Sequence, residues 1–135
     1  MSLYVDSSAL AKRYVDEPGR EQCVRFLETD QDWVTARHTY VEVRRTLAGS
    51  FGGQALDEMR RRFLRDWERT SIVELDEAVC LEAASLAEST GVRTLDALHL
   101  AASQQAGGGS FRFLTYDRRQ AAVARGLGWT VLGAE

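Results

Sequence analysis

The stretch FRFLTYDRRQAAVARGLGWTVL (residues 111–132) decides the fold. FRFLT (111–115) is a short apolar run with the length of a buried strand. Arg118 to Arg125 carries a helical pattern, and WTVL (129–132) is a second apolar run. Antiparallel neighbours can be joined by a tight turn, whereas parallel strands need a crossover of a dozen or more residues. The spacing here is that of a strand–helix–strand crossover, and it predicts a parallel pair.

The same unit recurs toward the N-terminus. SLYV (2–5) reads as a strand followed by helical signals from Ser8 to Val15 and again through Cys23, Val24 and Leu27. DWVTA (32–36) leads into a helix bearing Tyr40, Val43 and Leu47. GSFGG (49–53) breaks the pattern before a long helix over 54–69 with Leu56, Met59, Phe63 and Trp67 on one side. SIVEL (71–75) precedes a helix with Val79, Ala83 and Leu86. RTLDALHLAAS (93–103) predicts another, with Leu95, Leu98 and Ala102 as its buried stripe and Thr94 as its N-cap. Five strands alternating with helices predict an α/β fold, a parallel sheet covered on both faces.

Composition sets further bounds. A length of 135 residues with 44% hydrophobic and 27% charged side chains fits one globular domain, residues 1–135. No apolar run reaches membrane-span length, and MSLYVDSS lacks the layout of a signal peptide, so a cytoplasmic protein without membrane contact is expected. Cys23 and Cys80 stand apart with no ligand spacing around them, and both are expected as buried free thiols. The net charge of −3 does not advertise nucleic-acid binding, although Lys12 is the single lysine among sixteen arginines. In helix 54–69 the acid-first pairs Asp57–Arg61 and Glu58–Arg62 favour a solvated, ion-paired face over contact with RNA or a partner.

Four acids fall at matching places. Asp6 follows the first strand and Asp117 the fourth, while Glu42 and Asp96 lie near the starts of their helices. In open α/β sheets ligands collect beyond the carboxyl ends of strands, and all four face that rim. Each has a plainer explanation taken alone. Asp6 and Asp117 suit helix N-caps, Asp96 suits a first turn, and Glu42 can pair with Arg45 or Arg37. Together they pose an electrostatic problem. Two carboxylates ~5 Å apart repel by roughly 3 kcal/mol at an effective dielectric near 20, and a cation between them removes the penalty. Oxygen-only ligands favour Mg²⁺ or Mn²⁺, ions that grip phosphate oxygens and lower the pKa of a bound water, which is phosphodiester chemistry. Other acidic α/β sites fit worse. There is no late lysine for a receiver domain, no second Asp two residues after Asp6 for a dehalogenase-type phosphatase, and no GxxxxGK[ST] or GxGxxG loop.

VDSSALAKRYVDEPG, YVEVRRTL, TLDALHLAAS and LTYDRRQAAVARGLG, in that order, resemble the PIN-domain family, specifically the VapC-type toxins of bacterial toxin–antitoxin pairs. The resemblance implies a three-layer α/β/α fold with a five-stranded parallel sheet of order 3-2-1-4-5. It also implies a Mg²⁺- or Mn²⁺-dependent endoribonuclease, a homodimer, and inhibition by a cognate antitoxin protein in a hetero-oligomer. The family's acidic quartet falls on Asp6, Glu42, Asp96 and Asp117, with Asp6 and Asp96 expected to hold metal most directly. Ser7 and Thr115 are expected to support a carboxylate or a water. His38 and His99 are expected as packed, hydrogen-bonded side chains, not general bases. Family members often carry a small hydroxyl residue where Ala36 stands, which leaves one supporting contact open. A catalytically silent PIN module, and a DNA nuclease or RNA-processing enzyme on the same scaffold, are the alternatives.

Overall fold

The computed structural model describes residues 2–135. Five strands, β1 (Leu3–Val5), β2 (Trp33–Ala36), β3 (Ser71–Val73), β4 (Arg112–Thr115) and β5 (Thr130–Gly133), form one sheet in the order β3-β2-β1-β4-β5. Every pairing is parallel, with Tyr4 opposite Val34 on one side and Phe113 on the other. The helices are α1 (Ser7–Lys12), α2 (Arg20–Thr29), α3 (Thr39–Ser50), α4 (Gly53–Glu68), α5 (Glu77–Thr90), α6 (Thr94–Ala106) and α7 (Arg118–Gly126). The strand over 111–115, the helix after it and the strand over 129–132 are therefore β4, α7 and β5, one parallel crossover.

Strand alternation distributes the core. Leu3, Val5, Trp33 and Leu114 point to one face, where Leu10, Leu27, Leu47 and Phe63 of α1 to α4 cover them. Tyr4, Val34, Ala36 and Phe113 point to the other, against Val79, Ala83, Leu100, Ala101 and Ala124 of α5 to α7. Both faces are buried, which is why the strands read as unbroken apolar runs. The chain moves from β1 to β2 on one side and returns to β4 on the other. The carboxyl ends of β1 and β4 therefore flank the point where strand order reverses, a place such sheets keep for ligands.

Several local expectations are corrected. In α6 the buried side chains are Ala97, His99, Leu100, Ala101, Ala102 and Ser103, while Leu95 is 49% exposed. The helix is wedged between the sheet and α5, so its inward face is broad and small, and Leu95 is left at the rim. Thr94 is the first helical residue; Arg93 takes the N-cap position and makes no side-chain cap bond. Cys23 is buried, with its thiol on the Ala9 carbonyl, but Cys80 is exposed on the outer side of α5. The pairs on α4 form at i,i+3, Asp57–Arg60 at 3.7 Å and Glu58–Arg61 at 2.8 Å, instead of the expected i,i+4. Phe63 of that helix is fully buried, and Leu56, Met59 and Trp67 pack beside it as core. Among the described residues no helix is long and apolar enough to cross a membrane.

Candidate functional site

Asp6, Glu42, Asp96 and Asp117 line one open cleft of about 500 Å³, together with Ser7, Ser8, Lys12, Arg45 and Arg93. Each acid is delivered by the end of a strand or the first turn of a helix, and two do structural work as well. Asp6 caps α1, its Oδ1 accepting from the Ala9 N–H at 2.9 Å. Asp117 caps α7, its Oδ1 accepting from the Gln120 N–H at 2.9 Å. Asp96 and Glu42 sit in the first turns of α6 and α3, where the helix dipole favours a negative charge.

Asp6 is the deepest of the four, 2% exposed. Besides Ala9, Oδ1 accepts from Ser8 Oγ at 2.7 Å, while Oδ2 accepts from Thr115 Oγ1 at 2.5 Å and Gln120 Nε2 at 2.8 Å. About four acceptor sites exist on a carboxylate, and all are engaged. A cation would reach Asp6 by displacing a hydroxyl, which can rotate away as the Ala9 N–H cannot. Burial raises the Asp6 pKa; the nearby His99 and the donors Thr115, Ser8 and Ala9 only partly offset it.

Asp96 and Asp117 share one guanidinium. Arg93 donates from Nε to Asp96 Oδ2 at 3.2 Å and from Nη2 to Asp117 Oδ2 at 3.1 Å. Burial and the neighbouring Asp117 charge raise the Asp96 pKa, against the pull of Arg93. The arginine is 69% exposed at its side chain, so the cation bridging these two acids is a removable one.

Glu42 pairs with neither Arg45 nor Arg37; the latter bonds Glu74 at 2.5 Å. Glu42 Oε1 instead faces His99 Nε2 at 2.9 Å and His38 Nε2 at 3.6 Å. Tyr4 Oη lies 2.8 Å from His99 Nδ1. A His99 ring carrying its proton on Nε2 accepts from the Tyr4 hydroxyl and donates to Glu42, satisfying both nitrogens. Burial pulls Glu42 upward, but the hydrogen bond and charge of His99, His38 and a bond from Ser7 leave its pKa below the ordinary value. His38 is pushed down to about 4 by burial and by His99, against Glu42 and the Leu95 carbonyl, so its imidazole is neutral at physiological pH. Ser7 Oγ lies 3.5 Å from His99 Nε2.

Three supporting residues escaped sequence reasoning. Gln120 sits three residues after Asp117, where a capping box would return its amide to the Asp117 N–H. That N–H bonds Thr115 Oγ1 at 3.1 Å instead, and the amide crosses to Asp6. Ser8 supports Asp6 and also accepts from the Tyr116 N–H at 3.0 Å. Arg93 gave no signal beyond its place before Thr94. Where the family's hydroxyl is absent, Ala36 is buried, and the adjacent Thr35 and Thr39 bond one another at 2.7 Å.

The PIN domain family model matches residues 3–126. The chain belongs to the PIN-domain family. Its curated relatives of the VapC type include Ribonuclease VapC46 of Mycobacterium tuberculosis, 34% identical over 131 residues, covering 97% of this chain and 96% of that one. Ribonuclease VapC47 of the same species is 33% identical, over 94% and 93% of the two chains. Among solved PIN-fold structures, FitAcB from Neisseria gonorrhoeae superposes with a TM-score of 0.75 at 19% identity, covering 96% of this chain and 95% of that one. The sarcin–ricin-loop-cleaving toxin VapC20 of M. tuberculosis superposes at 0.74 with 15% identity, over 90% and 94%. These place the PIN fold on the whole sheet.

Proposed function

We propose that the protein is an endoribonuclease of the VapC type that depends on Mg²⁺ or Mn²⁺ and acts as the toxin of a toxin–antitoxin pair. The observation that carries this reading is the convergence of Asp6, Glu42, Asp96 and Asp117 on one cleft, with a guanidinium already bridging two of them. The cleft's carboxylates fit a hard cation, because the donor set is all oxygen and burial raises the pKa of Asp6 and, with the Asp117 charge, that of Asp96. Such an ion, when bound, neutralises phosphate charge and supplies a more acidic water.

Asp6 and Asp96 would hold the ion most directly, and Glu42 and Asp117 would complete its coordination or orient water. Thr115, Ser8 and Gln120 keep Asp6 in one orientation, and His99 does the same for Glu42. Arg93 gives way to the ion and, with Lys12 and Arg45 on the cleft wall, supplies positive charge toward the phosphates of an RNA strand. The relatives named Ribonuclease VapC support RNA as substrate, and the resemblance in sequence implies a cognate antitoxin and a homodimer as partners.

Cleavage of single-stranded RNA, structured RNA and DNA, with Mg²⁺, Mn²⁺ or EDTA, tests the reading. RNA cleavage that needs the ion and vanishes in Asp96→Asn is expected, while the metal-free variant stays as stable as the parent or more so. Asp96 has a raised pKa, so at neutral pH its ionised form opposes folding and its neutralisation removes that opposition. No cleavage of any RNA points to a silent module, and preference for DNA refutes the ribonuclease assignment.

A further inference from the structure

Holding Glu42 in place accounts for His99 but not for His38, which phosphodiester chemistry leaves unexplained. His38, His99 and Glu42 each offer a ligand atom within 4.8 Å of the others, the two imidazole centroids 4.1 Å apart. Two rings of the same kind do not need to meet over one carboxylate oxygen merely to fill space; Glu42 is already satisfied by His99. His38 is held only through Nε2, since its Nδ1 is buried without a partner.

We propose that His38, Glu42 and His99 form a second cation site, selective for a nitrogen-favouring ion such as Zn²⁺, whose occupation withdraws Glu42 from the carboxylate cleft and inhibits the nuclease. The carboxylate–imidazole spacings are close to those the ion sets. Metal–ligand bonds of about 2.0–2.1 Å in a tetrahedron set its ligands roughly 3.3 Å apart. Glu42 Oε1 is 2.9 Å from His99 Nε2 and 3.6 Å from His38 Nε2, and the Leu95 carbonyl is 3.2 Å from that same His38 nitrogen. The carbonyl or a water would take the fourth position. The support around the ligands also fits. With Nε2 turned to the ion, the ring proton sits on Nδ1, which donates a hydrogen bond to Tyr4 Oη 2.8 Å away, the kind of outer contact that fixes a ligating histidine.

Selectivity follows from ligand type. Two imidazoles and a carboxylate suit zinc, cobalt or nickel, while the acids alone suit magnesium or manganese. The two sites share Glu42, so filling one costs the other a ligand. The site itself stands without the nuclease reading; only its inhibitory effect rests on that reading.

Zinc binding by equilibrium dialysis, visible absorption with Co²⁺ as the probe, and cleavage with and without zinc are measured on the parent protein, His38→Gln and Asp96→Asn. One zinc is expected on the parent and on Asp96→Asn, with affinity lowered at least about tenfold in His38→Gln. Zinc slows Mg²⁺-dependent cleavage by the parent, and this ratio moves toward one in His38→Gln, each protein serving as its own reference. X-ray absorption of the zinc-loaded parent should report two imidazoles, a readout that needs no variant to fold. An all-oxygen shell, no zinc on the parent, or loss of zinc in Asp96→Asn with retention in His38→Gln overturns the proposal. A parent that binds zinc as described yet cleaves no RNA in any divalent ion defeats the nuclease reading and the inhibition, and leaves the cation site in place.

Discussion

Thr115→Val removes one hydroxyl from a fully buried position and leaves the shape of the side chain intact. That hydroxyl donates to Asp6 Oδ2 at 2.5 Å and accepts from the Asp117 N–H at 3.1 Å. A hydrogen bond to a buried charge contributes about 1.5–3 kcal/mol, and a stranded backbone N–H costs about 1–3 kcal/mol. The Gln120 amide still reaches Asp6, so the net loss is set at about 3 kcal/mol, a lowering of roughly 10 °C in Tm for a chain of this size. The loss depends on pH in a definite direction. Asp6 has a raised pKa, so ionising it weakens the fold as pH rises from 3.8 through its folded value, and Thr115 opposes that shift. The deficit of the valine variant is therefore full at neutral pH and shrinks once Asp6 is protonated in acid. Urea unfolding in EDTA at neutral and acid pH measures both, with Thr115→Ser, which keeps the hydroxyl, recovering most of the stability. A loss below about 0.5 kcal/mol at neutral pH, or one that does not change with pH, refutes the view that this hydroxyl holds the Asp6 charge.

Arg93→Gln removes the resident cation from Asp96 and Asp117, so Mn²⁺ should bind more tightly to the variant in calorimetry while metal-free stability changes little, the pair being solvent-screened. A thiol reagent should label Cys80 in the native protein and Cys23 only on unfolding, because burial pushes the Cys23 thiol up to about 12; mass spectrometry of the two peptides reports it. Gly133 adopts φ +100° with its Cα against the Thr115 carbonyl, where a methyl would collide with backbone. Gly133→Ala should therefore cost more than about 1 kcal/mol in thermal unfolding, and an unchanged Tm would show that β5 shifts freely at that point.

The parallel sheet was legible because both faces are covered, so β1, β2 and β4 appear as apolar runs separated by crossover-length helices. Strand order was not legible from spacing; it came with the family resemblance, since the order β3-β2-β1-β4-β5 depends on which side of β1 each crossover returns. The positions of the four acids followed from strand ends and first helical turns. What holds them did not. Gln120 stands at capping-box spacing from Asp117, a local pattern that points away from its actual partner, and only the fold reveals that its amide spans 114 residues of sequence to Asp6. His99 was expected to be packed, and it is, but its partners Tyr4 and Glu42 come from β1 and α3, beyond any helical periodicity. Leu95 misled because three apolar residues at helical spacing define a stripe only when one neighbour covers it, and α6 has neighbours on both sides.

Asp6 and Asp117 each terminate a helix as well as face the cleft, and this double duty has a practical consequence for anyone wanting an inert copy of the protein. An alanine at either place strips a cap worth about 1 kcal/mol, and at Asp6 it also abandons hydroxyl and amide donors in the interior. Harmless-looking preparations made that way would be harmless partly through unfolding. Position 96 caps nothing, and a substitution there separates loss of chemistry from loss of shape.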